Sequence, residues 1–517
     1  MSLAANALKS LQVINRLEVG PIRLEPRRVI APYKVFQGTK EGTIDLMYRF
    51  DEDVFDPLEP ASKNLASMIA SQVALNYGLF CKEIVFQGHF DNCDQSFLKE
   101  MAKNTAREIF VKKFLEPNPF LQGNAASVPA VRMRNYLQGR ISFNGSSGDS
   151  SQYPPPWNTE LERCAVLSSG GKDSLLSFGL LDELGYETHP IFINESGRHW
   201  FTALNAYRYF RTAYAHSARV WTNSDRVFTW MLRHLPFIRQ DFASVRSDDY
   251  PVRLWTVAVF LFGALPLLRK RGINHLIIDN EYDTTRKKTI SAGIFHYDGL
   301  YDQSRYFDTT LTRYFQQKGW GIYQFSILRH LSEILIQKIL VERYPHLQEN
   351  QISCHAGTLK NSRVYPCGKC EKCRRIVVML TAMGADPAKC GYTPQQVEHS
   401  LNGFLHEPIH QEYAGAQHLA YLLAQKGILH SKLMKSVTVK EKPEVMKIRI
   451  DADRAPVEVM PVSFRKPLFD IFMKYAGGAV QRNNRLWIEC DLTAYSELLI
   501  PHPFESSKMI SEMEKSL

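Results

Sequence analysis

The chain is 517 residues long and 44% hydrophobic, with a formal net charge of +10. Its length points to several domains, and its apolar content excludes a chain too polar to bury a core. The basic excess suits an anionic or nucleic-acid partner, but it is spread too widely to define one.

Residues 1–145 read as an N-terminal α+β region. The segment 44–50 alternates like a half-buried strand, and 61–77 reads as a helix ended by Gly78. Residues 83–86 read as a second strand and 97–114 as a helix with a mixed-charge face. His89, between Cys81 and Cys93, is a candidate catalytic partner or metal ligand; the simpler reading is a turn histidine. Residues 146–159 carry Gly, Ser and the run Pro154-Pro155-Pro156, which is linker chemistry.

Residues 160–395 alternate strands (164–167, 190–193, 219–222, 275–278) with helical stretches (175–184, 201–216, 252–270). That alternation predicts an α/β fold with a doubly wound parallel sheet. Ligands of such sheets bind at the carboxyl ends of strands, which gathers 169–174, 194–198 and 279–283 around one crevice. Glu195 and Arg198 could then touch adenine or ribose, or simply cap and face solvent. The longest apolar run, 254–268, falls short of the roughly 20 residues of a membrane span and contains Pro266. It reads as a buried helix, and no signal peptide is visible.

The most informative stretch is Ser168-Ser169-Gly170-Gly171-Lys172-Asp173-Ser174, between a strand and a helix. Glycines let the backbone approach an anion, amide groups point at it, and the helix dipole favours negative charge. The Walker spacing is absent. A second constellation is Cys354 followed, after twelve residues, by Cys367-Gly368-Lys369-Cys370-Glu371-Lys372-Cys373. Four thiolates without an open position favour structural zinc; an iron–sulfur cluster, a redox pair or unrelated thiols are the alternatives. Nine cysteines, an odd count without a disulfide framework, point to a reducing cytoplasm. The tail, 396–517, reads as a small α+β region: helices at 418–426 and 469–476, strands at 447–451 and 485–489. Its basic run from Lys432 to Lys442 reads as a nucleic-acid face or a solvated one.

The order Ser-Gly-Gly-x-Asp-Ser resembles the pyrophosphate loop of the PP-loop ATP pyrophosphatases, whose nucleotide domain is HUP-like. With Ser353-Cys354 and Pro366-Cys367-Gly368-Lys369-Cys370-Glu371-Lys372-Cys373-Arg374, residues 162–392 resemble 7-cyano-7-deazaguanine synthase. Weaker similarities lie at Asn280-Glu281-Tyr282-Asp283, at 325–333, and at Tyr301-Asp302-Gln303-Ser304-Arg305, where Ser304 replaces the family's cysteine. The cysteine spacer is longer than in that synthase, and both flanking regions lack counterparts.

The resemblance implies an AMP-forming ligase using ATP, Mg2+ and Zn2+. Ser169, Ser174 and the Gly170 and Gly171 amides would hold the β,γ-phosphates. Asp173 would hold magnesium, and Lys172 would add positive charge at the leaving group. Asn280 and Glu281 would face the nucleotide, with Asp283 beside the acceptor; a surface salt bridge is the plainer reading of the two carboxylates. An acceptor carboxylate would be adenylated, then attacked by ammonia. A transfer-RNA thiolase, which needs a persulfide or cluster cysteine, and a non-enzymatic nucleotide scaffold are the alternatives. An asparagine synthetase-like amidotransferase would need a glutaminase cysteine, and Cys81 and Cys93 sit in no such elbow.

Overall fold

Short runs of Val, Ile, Leu and Phe, buried along most of their length, build the main sheet. The structure, a computed structural model, describes residues 8–145, 156–197, 199–245, 250–290, 292–492 and 496–505. The strands are β1 (Ile14–Val19), β2 (Arg23–Glu25), β3 (Arg28–Gln37), β4 (Lys40–Phe50), β5 (Cys81–Gln87) and β6 (Arg140–Asn144). They continue with β7 (Glu160–Leu167), β8 (Glu187–Glu195), β9 (Ala218–Thr222), β10 (Ile273–Ile277), β11 (Lys288–Thr289), β12 (Phe295–His296) and β13 (Tyr323–Phe325). β11 and β12 form a separate ribbon. The others make one eleven-stranded, mostly parallel sheet, ordered β13-β10-β7-β8-β9-β4-β3-β1-β5-β6 with β2 beside β3.

From β7, third from one edge, the chain winds inward through β8 and β9 toward β4, with β7, β8 and β9 all parallel. It then crosses back, so that β10 pairs with the other side of β7 and β13 lies beyond it. The winding direction therefore reverses between β7 and β10. Loops leaving two such neighbours diverge to opposite faces, and a crevice opens at their carboxyl ends.

The return crossing is the long apolar run. It forms the helix Val257–Arg271, whose residues from Ala258 to Leu268 are buried except Phe260. Gly272, at φ +61°, ends it after the basic turn Arg269-Lys270-Arg271. No helix among the described residues is long and apolar enough to cross a membrane.

The N-terminal strands continue the same sheet. β4 pairs antiparallel with β9, with Tyr48 opposite Thr222. One apolar core accordingly runs from Leu8 to Ile322. Residues 146–155 of the expected linker lie outside the described residues. After them, Trp157 stacks on Trp320 at 4.6 Å, so the chain is already packed there. A second core joins the other face of β7 and β8 to the cysteine segment and the tail. The tail's own sheet has three strands, Ile448–Ile450, Ala479–Asn483 and Leu486–Cys490.

Asn76 couples the N-terminal region to the crossover helix. Its side chain is fully buried. Its Oδ1 accepts from the amides of Leu254 and Trp255, both at 2.9 Å, and its Nδ2 donates to the Trp255 carbonyl at 3.0 Å. Asn76→Ala leaves those buried groups unpaired and should cost about 3 kcal/mol. Urea unfolding followed by tryptophan fluorescence checks this, with one shared transition moved to lower urea.

Candidate active site and metal centre

The loop between β7 and the helix Lys172–Glu183 sits at the reversal point of the sheet. Two glycines permit its shape. Gly170 has φ +73°, and a Cβ there would lie 2.7 Å from the Thr202 carbonyl oxygen and 2.8 Å from the Ala203 Cα. Gly171 is extended and caps the helix, and no side chain satisfies the first-turn amides. The Ser168 hydroxyl accepts from the Gly170 amide at 3.3 Å and donates to the Ser174 hydroxyl at 3.1 Å; Ser174 donates to the Gly171 carbonyl at 3.2 Å. Ser169 is exposed at the mouth. The result is an anion cradle with open amides.

Lys172 crosses the crevice. Only 6% exposed, its ammonium lies 2.9 Å from Asp173, 3.2 Å from Glu281 and 3.1 Å from Glu333. Burial alone would lower its pKa, but Asp173, Glu281 and Glu333 together outweigh it and hold the pKa above that of a free lysine. Arg375 adds a second cation, 3.4 Å from Glu333.

Asp279, just past β10, has both carboxylate oxygens buried, with the Ser177 hydroxyl beside them and no well-formed hydrogen bond to either. Burial, followed by the nearby charge of Asp173, pushes its pKa well up. Orphaned carboxylate oxygens beside a second carboxylate fit a divalent cation. Asn280 ties the loop to β13: its amide donates to the Ser326 hydroxyl, which donates back to the Asn280 carbonyl. Glu281 thus meets Lys172, whereas Asp283 pairs with Arg286 at 2.8 Å.

The tail braces this second loop. Tyr282 donates to Asp451 at 2.6 Å, and the buried Arg449 guanidinium lies 3.8 Å from the Tyr282 ring centre while pairing with Glu412 at 2.8 Å.

Other candidates sit apart. Glu195 is buried against the Ser224 hydroxyl at 2.9 Å and faces Arg253 at 3.7 Å. Arg198 lies outside the described residues. Asp302 accepts from the amides of Thr256 and Val257, and Ser304 caps the helix Arg305–Gln317. That segment therefore starts two helices. His89 is exposed and, among the described residues, belongs to no metal-sized cluster. Cys164 is fully buried, and burial raises its thiol pKa, which makes it an inert core group.

Cys354, Cys367, Cys370 and Cys373 converge, with all four sulfurs within 4.8 Å of one another. Cys367 and Cys373 are 3.9 Å apart, and Cys354 and Cys370 are 3.8 Å apart. A tetrahedron with zinc–sulfur bonds of about 2.3 Å has edges of about 3.8 Å. The Cys367 amide donates to Cys354, and the Lys369 amide to Cys367, orienting two of the sulfurs. This cluster could hold a metal ion such as zinc. A second group, Glu187, His189 and His216, is metal-sized, but Arg271 and Arg163 already occupy His189 and Glu187.

Sequence reasoning placed Asp279 only within a crevice segment, and it missed the parts of Glu333, Arg375 and the tail. Glu333 reads from sequence as a helix first turn after its cap Ser332; its approach to Lys172 is purely tertiary. No family model matches the chain, and no match is found among curated proteins.

Protein purified without added metal should carry about one zinc per chain by elemental analysis. Cys373→Ser should lose that zinc and melt at lower temperature. An iron–sulfur absorption band in place of zinc would contradict the assignment.

Proposed function

We propose that this chain is an AMP-forming ATP pyrophosphatase of the PP-loop type, similar to 7-cyano-7-deazaguanine synthase, that activates an acceptor carboxylate for attack by ammonia. One observation carries the reading. The Ser-Gly-Gly-Lys-Asp-Ser loop presents an uncapped helix N-terminus at the reversal point of the sheet, and its Lys172 is bonded across the crevice to Glu281. Open amides, a cation and paired carboxylates at such a point suit a polyphosphate and its metal.

In this reading the acceptor carboxylate oxygen attacks the α-phosphorus of ATP. The α–β bond breaks, pyrophosphate leaves, and an acyl adenylate forms. Ammonia then attacks the acyl carbon, AMP departs, and an amide results. The Gly170 and Gly171 amides and the Ser169 and Ser174 hydroxyls receive the departing phosphates. Asp173 and Asp279 would hold magnesium, which when bound neutralises phosphate charge. Lys172, freed from one of its carboxylates, stabilises charge at the bond that breaks. Glu281 and Asp283 mark the acceptor side. A zinc held by Cys354, Cys367, Cys370 and Cys373 would close the segment 354–373 and, with four sulfurs leaving no open position, would take no part in the chemistry. The same closure leaves none of those four free to carry a persulfide.

With a competent acceptor the products should be AMP and pyrophosphate. Asp173→Ala should reduce turnover by about a thousandfold or more, as loss of a metal carboxylate and its electrostatic stabilisation does. Chromatographic detection of ADP as sole nucleotide product would refute the reading. Asp283→Asn should impair acceptor turnover more than ATP binding, read by comparing kcat/KM for each substrate. When labelled ammonia and sulfide compete, mass spectrometry should find nitrogen in the product; sulfur would support the thiolase instead.

A further inference from the structure

A cleft of about 780 Å³ opens far along the chain from the pyrophosphate loop, between the helix Asn92–Ile109, the segment 132–136 and the turn 293–301. Its charge is one-sided: Lys103, Arg107, Arg132 and Arg134 line it, against the single carboxylate Glu100. Its floor is aromatic, with Tyr136, Phe295, Tyr297 and Tyr301.

The cleft is built by buried contacts. The largely buried Tyr136 ring stacks on Phe110 at 5.2 Å, while its hydroxyl accepts from the Met133 amide at 3.1 Å and donates to the Val131 carbonyl at 2.8 Å. These bonds pin the segment so that Arg132 and Arg134 are exposed while Met133 packs against the core. Glu108, itself buried, accepts from the amides of Tyr297 at 3.0 Å and Gly299 at 3.1 Å, which fixes the aromatic turn. Phe295 nevertheless keeps 39% of its surface exposed, and the Arg107 guanidinium lies 5.4 Å from its ring centre. Arg107 donates to the Asn104 side-chain carbonyl oxygen and pairs with the buried Glu108 at 3.3 Å, so its guanidinium is part of the wall.

We propose that this cleft binds an unpaired nucleotide, its phosphate at Arg132 and Arg134 and its base stacked at Phe295. Guanidinium groups bind phosphate in a planar fork, and an exposed ring beside them offers a face to any base. The exposed Asn135 adds an amide suited to a base edge. An acidic peptide would use the cations but has no need of the aromatic floor. The residues lining the cleft include none of the loop 168–174, so the inference stands whether or not the chain hydrolyses ATP.

The test is fluorescence anisotropy of the full chain with short labelled oligouridylate and oligodeoxythymidylate, in low salt and without ATP, which would itself compete for the cleft. Wild type should bind, more weakly as salt rises. The double variant Arg132→Ala/Arg134→Ala should weaken binding about tenfold or more, and Phe295→Ala about fivefold or more. Lys432→Ala/Lys435→Ala, in the exposed basic run of the tail, should change nothing. All three sets lie at exposed positions, and circular dichroism checks that each folds. Competition by uridine monophosphate at millimolar concentration would identify a free nucleotide as the ligand; binding of oligonucleotides without such competition would identify a single strand. No binding in low salt, or equal competition by polyglutamate with Phe295→Ala unaffected, overturns the proposal. So does a loss of binding in the Lys432/Lys435 variant but not in the cleft variants.

Discussion

A buried lysine must keep its partners, and Lys172 has them on three separate stretches of chain. Asp173 comes from its own helix, Glu281 from the loop after β10, and Glu333 from the start of the helix Glu333–Arg343. An ammonium taken out of water is strongly destabilising unless paired. The charge therefore holds only when all three stretches are in place. The same contact that compensates for the burial sets the width of the crevice.

The neighbouring regions fix those stretches from either side. On one side, β4 pairs with β9 and Asn76 grips the start of the crossover helix, so the N-terminal region stiffens the sheet that carries the loops. Apolar contacts alone slide; a buried amide with paired donors and an acceptor does not. On the other side, the cysteine cluster ends at the N-terminus of the helix Glu371–Met383, with Cys370 as its cap and Arg375 in its first turns. A bound metal would set the direction of that helix, and with it the approach of Arg375 to Glu333. Local closure by metal can substitute for a disulfide in a reducing environment.

The tail acts through Tyr282. Arg449 and Asp451, close together in the tail, hold the face and the hydroxyl of that ring. Lys287 pairs with Asp453 at 2.9 Å, and Arg305 donates to the Asp453 carbonyl at 2.6 Å. A region without a chemical motif of its own thus positions the loop that carries Glu281 and Asp283. The half of the site built on the loop 168–174 is made by local backbone geometry, whereas the opposite half is made by long-range contacts.

That division explains what was legible. The turn at 169–174 and the convergence of the cysteines were readable because both lie in local spacing: a glycine turn before a helix, and thiols a few residues apart. The alternation of 164–167, 190–193, 219–222 and 275–278 with helices was equally local, and β7, β8, β9 and β10 lie there. Strand order was not local. Nothing in 44–50 says that it pairs with β9 rather than closing a sheet of its own, because an alternating strand fits any partner with a matching face. Nor does sequence separation reveal that Glu333 and Arg375 meet Lys172, that Asn76 holds Leu254, or that Arg449 covers Tyr282. The sequence by itself determined the glycine turn before the helix, the thiol set and the α/β winding, since each follows from neighbours along the chain. Only the tertiary structure decided which charges share the crevice, because buried charges choose their partners by distance in space and by the loss of water around them.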